Sequence, residues 1–305
     1  MKALIVQFCI GMMMGAANVI PGVSGGTVAF ITGIFERLVA ALKSIDAEAL
    51  RLFARGRFAA LLRHVDFAFL AALGGGVVVA LLTLARVFEW ALERHEVPVF
   101  AFFFGLIAAS VPVVGRMVKR WGAAHTAMFL VGTGAAASLA FLSPASENAA
   151  FPYLLLCGVA AFASMIIPGL SGSLVLLLMG NYALVLRAVN ERDLGILMPV
   201  AVGAVVGLVA LSRLLNWLFR RFHDLAVALI TGFVAGSLLT IWPWKEVARS
   251  EWIEVGERVE EKILAYRWLV PEMDGAFLVA LLAMGAGVVI VLATEWGFGR
   301  GRGKR

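Results

Sequence analysis

Two short segments carry the residue types that could hold a charged group. Pro21-Gly22-Val23-Ser24-Gly25-Gly26-Thr27 and Pro168-Gly169-Leu170-Ser171-Gly172-Ser173 each set hydroxyls among glycines directly after a proline. Proline disfavours helix at the residue before it and glycine opens conformations closed to other residues, so each segment reads as a break followed by a new helix start. The first amides of a helix lack internal partners and carry the positive end of its dipole, and glycine lets an anion approach the backbone. Ser24, Gly25, Gly26 and Thr27, with Ser171, Gly172 and Ser173, are therefore the expected anion-binding residues, and Pro21, Gly22, Pro168 and Gly169 the turn formers. A lone Ser-Gly pair would read as close helix packing, but its occurrence twice at matching positions favours a site.

Charges inside apolar runs are the second clue, because each costs about 2.5 to 3.5 kcal/mol to insert and so tends to face a cavity or a partner. Arg86 and Arg213 are such charges, each toward the end of a span, where a long side chain can also snorkel to the interface. Glu36 and Arg37 follow the first break: Arg37 is a further expected counter-charge for an anion, and Glu36 a site for a coupling proton or an ordinary interfacial group. Cys9 and Cys157 fall in apolar runs and the four histidines have no paired spacing, so neither a disulfide, a metal site nor a cofactor is expected.

The elements that position these residues belong to a membrane. Of 305 residues 62% are apolar and 15% charged, with a mean hydropathy of +0.94. Globular domains average about 45–50% apolar and about 25% charged, so the excess must face lipid. Disorder and nucleic-acid binding are excluded with it; the net charge of +6 sits in short loops and reads as orientation. Crossing about 30 Å of hydrocarbon takes roughly 20 apolar residues. That length gives six spans, at 67–88, 99–114, 123–142, 196–218, 225–241 and 276–293. Two longer stretches, 3–42 and 151–189, are each interrupted by one of the breaks and read as re-entrant hairpins. Broken backbone at that depth is tolerated where protein or a water-filled cavity satisfies it. The stretch after Lys2 is expected to belong to the mature fold and not to a cleaved signal, since its motif returns in the second half.

Residues 18–35 and 165–182 share seven identities in eighteen positions, including Pro21/Pro168, Ser24/Ser171, Gly25/Gly172 and Gly33/Gly180. Downstream, Gly74 aligns with Gly203, Gly105 with Gly232, and Gly132-Thr133-Gly134 with Gly285-Ala286-Gly287. The chain thus reads as two repeats, 1–145 and 146–305, each a hairpin plus three spans, in one all-α membrane domain. A hairpin returns to its own side and three spans do not, so the second copy must lie inverted. With the N- and C-termini inside, sixteen Lys and Arg fall on the inner side and nine on the outer, in keeping with the positive-inside rule. Inverted repeats with paired broken helices are the architecture of secondary transporters, in which one half rocks against the other. The acidic segment 244–274 and the oligomeric state stay open.

The segment Asn18-Val19-Ile20-Pro21-Gly22-Val23-Ser24-Gly25-Gly26-Thr27-Val28-Ala29-Phe30-Ile31-Thr32-Gly33-Ile34-Phe35-Glu36-Arg37-Leu38, with Ile167-Pro168-Gly169-Leu170-Ser171-Gly172-Ser173, resembles the bacterial PopT family over nearly the whole chain. The resemblance implies a multi-pass protein of the bacterial inner (cytoplasmic) membrane. It implies a flippase that returns undecaprenyl phosphate, the lipid carrier of cell-wall precursors, from the outer to the cytoplasmic leaflet. Phe35 departs from the family, which has tyrosine there. Two other readings share the pattern. Membrane undecaprenyl pyrophosphate phosphatases carry a similar Pro-Gly-x-Ser-Arg-Ser turn, but Gly25 stands at the arginine position, and residues 3–20 hold no carboxylate, only Gln7, so hydrolysis lacks a base. A small-anion exporter would need a closed polar pore instead of a lipid-open groove.

Overall fold

The computed structural model describes residues 2–19, 24–255 and 258–302. α1 (Lys2–Val19) is one apolar helix leading to the first break. Beyond the break, the expected second arm of the hairpin is itself divided. α2 (Gly25–Ile31) ends at Gly33, whose φ of +74° lies in the left-handed region, and α3 (Phe35–Lys43) leaves at 118° to it. The sequence of α3 explains the bend: Phe35 and Val39 are buried while Glu36, Arg37 and Ala40 are exposed, so the helix follows an apolar–polar boundary. The second stretch repeats the design. α8 (Phe151–Ile166) leads to the second break, α9 (Gly172–Leu178) ends at Gly180 with φ +76°, and α10 (Tyr182–Glu191) turns away by 114°.

Between the two stretches lie α4 (Ala47–Ala54), α5 (Phe58–His64), α6 (Phe67–Gly115) and α7 (Ala123–Ser138), which a 3-10 turn at Leu139–Phe141 extends. After them come α11 (Leu194–Ser237), a hairpin of β1 (Lys245–Val255) and β2 (Arg258–Trp268), and α12 (Gly275–Arg302). The spans expected at 67–88 and 99–114 run together as α6, with a kink at His95 (φ −140°, ψ 46°) in place of a loop. Those expected at 196–218 and 225–241 join as α11, kinked at Phe222 (φ −139°, ψ 50°). At 49 and 44 residues each helix is about twice the length that crosses a bilayer, so each kink separates two spans. By length and composition, five stretches among the described residues can cross a membrane when α6 is counted as two and α11 as one, or up to seven if each bent pair is added as a span. Exposed Leu82, Val131, Val205 and Leu282 on these helices are suited to lipid.

Glycines set the helix pairs. A Cβ on Gly11 or Gly76 would strike the backbone of Leu73 or Phe8, and one on Gly158 or Gly203 that of Val200 or Leu155. α1 is thus pressed on the first part of α6, and α8 on the first part of α11. The later spans cross over: Gly105 and Gly287 hold α6 against α12, and Gly132 and Gly232 hold α7 against α11. With no hydrophobic drive between helices in lipid, such close approach is what packs them. These contacts place Gly76 in the role of Gly203, and Gly132 in that of Gly287. The sequence alignment used Gly74 and paired Gly132 with Gly285, yet Gly74, Gly134 and Gly285 face open space. Glycines two apart lie on nearly opposite sides of a helix, and identity alone cannot choose between them.

The two ends of the molecule are tied by polar contacts. At one end Lys43 Nζ donates to Asn216 Oδ1 (3.2 Å) and Phe35 meets Phe219 edge-on, so α3 is held near the α11 kink. At the other, Asn181 bonds the backbone of Asn148, and Arg187 pairs with Glu147 at 2.7 Å.

Candidate functional site

The site is built from the residues that follow each break. Ser24 and Ser171 adopt nearly the same extended backbone, φ −115°, ψ 131° and φ −113°, ψ 131°, each directly ahead of its short helix. The two turns touch. The Gly169 amide donates to Thr27 Oγ1 at 2.9 Å, and the Cα of Gly26 faces the Ile166 carbonyl so closely that a Cβ would lie 3.0 Å from it. Gly169, at φ +86°, packs against the Phe233 carbonyl, a place no side chain fits. Pro168 is buried beside it, while Pro21 and Gly22 lie outside the described residues.

The two turns differ in what they offer. In the first, the Gly25 amide donates to Asn18 Oδ1 (2.7 Å), the Gly26 amide to Ser24 Oγ (3.2 Å) and the Thr27 amide to the Ser24 carbonyl (3.0 Å). Ser24 and Thr27 are 3% and 1% exposed, so the described part of this turn, residues 24–27, is satisfied and enclosed. In the second, Ser171 is half-buried and Ser173 exposed, and their hydroxyl oxygens lie 2.7 Å apart. α2 and α9 have only seven residues each. Hydroxyls, more than helix ends, are thus what this arrangement presents to an anion. The amide cradle expected at Gly25 and Gly26 is already filled by Asn18 and Ser24. The sequence signal for Asn18 was a single amide side chain in the last turn of an apolar helix.

An apolar cavity of about 240 Å³ adjoins the first turn, lined among others by Met13, Ala17, Thr27, Val28, Phe102 and Ile290. Thr27 therefore belongs both to the contact between the turns and to a hydrocarbon-lined space between α1, α2, α6 and α12.

Of the expected counter-charges, the side chains of Arg37 and Arg213 are described. Arg37 forms a two-pronged pair with Asp66 (2.8 and 3.1 Å) and lies over the Phe69 ring, 4.3 Å from its centre. Arg213 is exposed on α11, and the Arg86 side chain lies outside the described residues. Glu36 Oε1 lies 3.1 Å from His223 Nε2, His223 Nδ1 is 3.1 Å from Asp224 Oδ1, and Asp224 Oδ2 accepts from the Lys119 amide. His223 is thus a bridge between α3 and the α11 kink, a role its isolated place in the sequence did not signal. Among the described residues no group of His, Cys, Asp and Glu is arranged to hold a metal ion, and Cys9 and Cys157 are both free.

Comparison with known proteins adds to this geometry. Residues 14–259 match the model of the VCA0040-like family, described as undecaprenyl phosphate translocase-like. The chain is 38% identical over 292 residues to a polyprenyl-phosphate transporter of Vibrio cholerae, covering 93% of this chain and 94% of that one. It is 28% identical over 251 residues to a polyprenyl-phosphate transporter of Staphylococcus aureus, covering 76% and 84%. Both relatives are named as transporters and neither as an enzyme. No solved structure matches the chain. The chain belongs to the undecaprenyl phosphate translocase-like family.

Proposed function

We propose that the protein is a flippase for polyprenyl phosphate, returning undecaprenyl phosphate from the outer to the cytoplasmic leaflet of the bacterial inner membrane. The observation that carries this reading is the Thr27–Gly169 contact, which joins the two breaks beside the mutually bonded hydroxyls of Ser171 and Ser173 and an apolar cavity. A phosphate monoester stripped of water in hydrocarbon loses tens of kcal/mol of hydration, so a carrier must replace that hydration and house the tail separately. Ser171 and Ser173 are the headgroup donors in the present state. Ser24, Gly25, Gly26 and Thr27 take that role when their internal bonds open, with Gly172 and the arginines, Arg37, Arg86 and Arg213, completing the polar path. The cavity at Met13 and Phe102 receives the isoprenoid.

The halves are inverted copies that rock against each other, as the matched glycine contacts, the matched kinks at His95 and Phe222 and the matched bends after Gly33 and Gly180 support. The basic α3–α5 end is the cytoplasmic one, and Glu36 with His223 is the place for ion coupling. The test is reconstitution in liposomes, following polyprenyl phosphate in each leaflet together with phosphate release. Leaflet exchange without release is the expected result. Release from the pyrophosphate form, or uptake of soluble phosphate without lipid exchange, overturns it.

A further inference from the structure

At the end of the molecule opposite α3, the first residue of β1 turns back into the protein. Lys245 Nζ donates to the Thr240 carbonyl at 2.7 Å and lies 4.1 Å from the centre of the Phe100 ring and 4.5 Å from that of Tyr266. Among the described residues no carboxylate comes within ion-pair distance of it; Glu96 and Tyr266 are the ionisable groups that face it. Among the described residues only one of the three ammonium donors has an oxygen acceptor, and the remaining charge faces the Phe100 and Tyr266 rings. Burial pushes the amine down from 10.5 to about 8, which marks a cation held without adequate compensation. Such a charge weakens the fold, and an arriving anion would relieve it.

Lys245 also lines a cavity of about 60 Å³ whose other walls include Leu174, Leu177 and Leu178 of α9. α9 begins at Gly172, between the hydroxyls of Ser171 and Ser173, and at 1.5 Å per residue Leu178 stands about 9 Å further along it. One face of a short helix thus connects a part-buried cation to the hydroxyl pair. We propose that Lys245 is a second anion-binding point, a dock for the lipid phosphate on its way to Ser171 and Ser173. The inference rests on the flippase reading, in whose orientation this end faces the outer leaflet. A phosphate monoester, with its second ionisation near pH 6, is the anion that best suits a lone ammonium boxed by rings, since a charge-assisted bond outranks a ring face.

The test uses the full chain in detergent with farnesyl phosphate as probe and farnesol as the uncharged control, binding being read by tryptophan fluorescence at pH 7 and pH 9. The wild type should bind the phosphate at least three-fold more weakly at pH 9, because the amine has lost its proton while the probe has not changed charge. Lys245→Arg should bind as at pH 7 throughout, and Lys245→Met at least ten-fold more weakly at pH 7 with no pH dependence. The melting temperature of Lys245→Met without ligand should equal or exceed that of the wild type, which separates loss of binding from loss of fold. If Lys245→Met keeps wild-type affinity and pH profile while Ser171→Ala with Ser173→Ala weakens binding, the dock is refuted and the flippase reading stands. If the wild type binds farnesyl phosphate no better than farnesol, both fall together.

Discussion

Thr27 is the residue on which the contact between the two breaks turns. Its hydroxyl accepts from the Gly169 amide, and replacing it with an isosteric valine leaves that donor without a partner. Thr27→Val should lower stability by about 1–2 kcal/mol, whereas Thr27→Ser keeps the acceptor and most of the stability; thermal unfolding in detergent reads the difference. Asp46 works on a different boundary. It caps α4 by accepting from the amides of Glu48 and Ala49 and lies 3.1 Å from His64 Nε2. The Ala49 amide and His64 hold its carboxyl below the ordinary 3.8. A carboxyl depressed by folding stabilises at pH values above its unfolded value, and that contribution fades as pH falls through the lower folded value. Asp46→Ala should therefore cost about 1 kcal/mol at neutral pH and progressively less below about pH 4, as followed by melting temperature against pH.

At the scale of elements, the helices are spaced by glycine. Gly232→Ala would drive a methyl into the Phe129 backbone and force α7 away from α11, an overpacking of about 1–3 kcal/mol, while Gly134→Ala on α7 meets open space and should be neutral. Paired melting curves of the two variants check this; if the register implied by simple glycine alignment were the true one, Gly134 would take the packed role of Gly287 and Gly134→Ala would be destabilising as well. The spans themselves were legible because uninterrupted apolar length is an unambiguous signal, and the breaks because Pro-Gly and Ser-Gly recur. Three features were not. The bends after Gly33 and Gly180 were hidden because α2 and α9 are themselves apolar, although both glycines stood among the repeat identities. The kinks at His95 and Phe222 replace loops, since a short polar interruption gives no hint of whether helix continues through it. The β-hairpin strands Lys245–Val255 and Arg258–Trp268 read as an acidic loop because their apolar residues do not alternate cleanly with polar ones: Val247 is followed by Ala248 and Trp252 by Ile253.

At the scale of the whole molecule, the two breaks are in contact through Thr27 and Gly169, and that they hold an anion between them is the reading proposed above. Ser24 and Thr27 are enclosed, Ser171 and Ser173 are accessible, and Arg37 is occupied by Asp66. Sequence position could bring the breaks together through their repetition, yet whether a hydroxyl faces a cavity or a neighbouring amide depends on packing that composition does not encode. Under the flippase proposed above, this asymmetry would belong to one state of a two-state carrier, with one turn enclosed while the other is presented. The most direct measurement is the rate of polyprenyl phosphate exchange between leaflets in liposomes holding the wild type or the Ser171→Ala/Ser173→Ala double variant at equal folded protein. Exchange at least ten-fold slower in the variant, with an unchanged melting temperature, is the expected result. Exchange at the wild-type rate would contradict it.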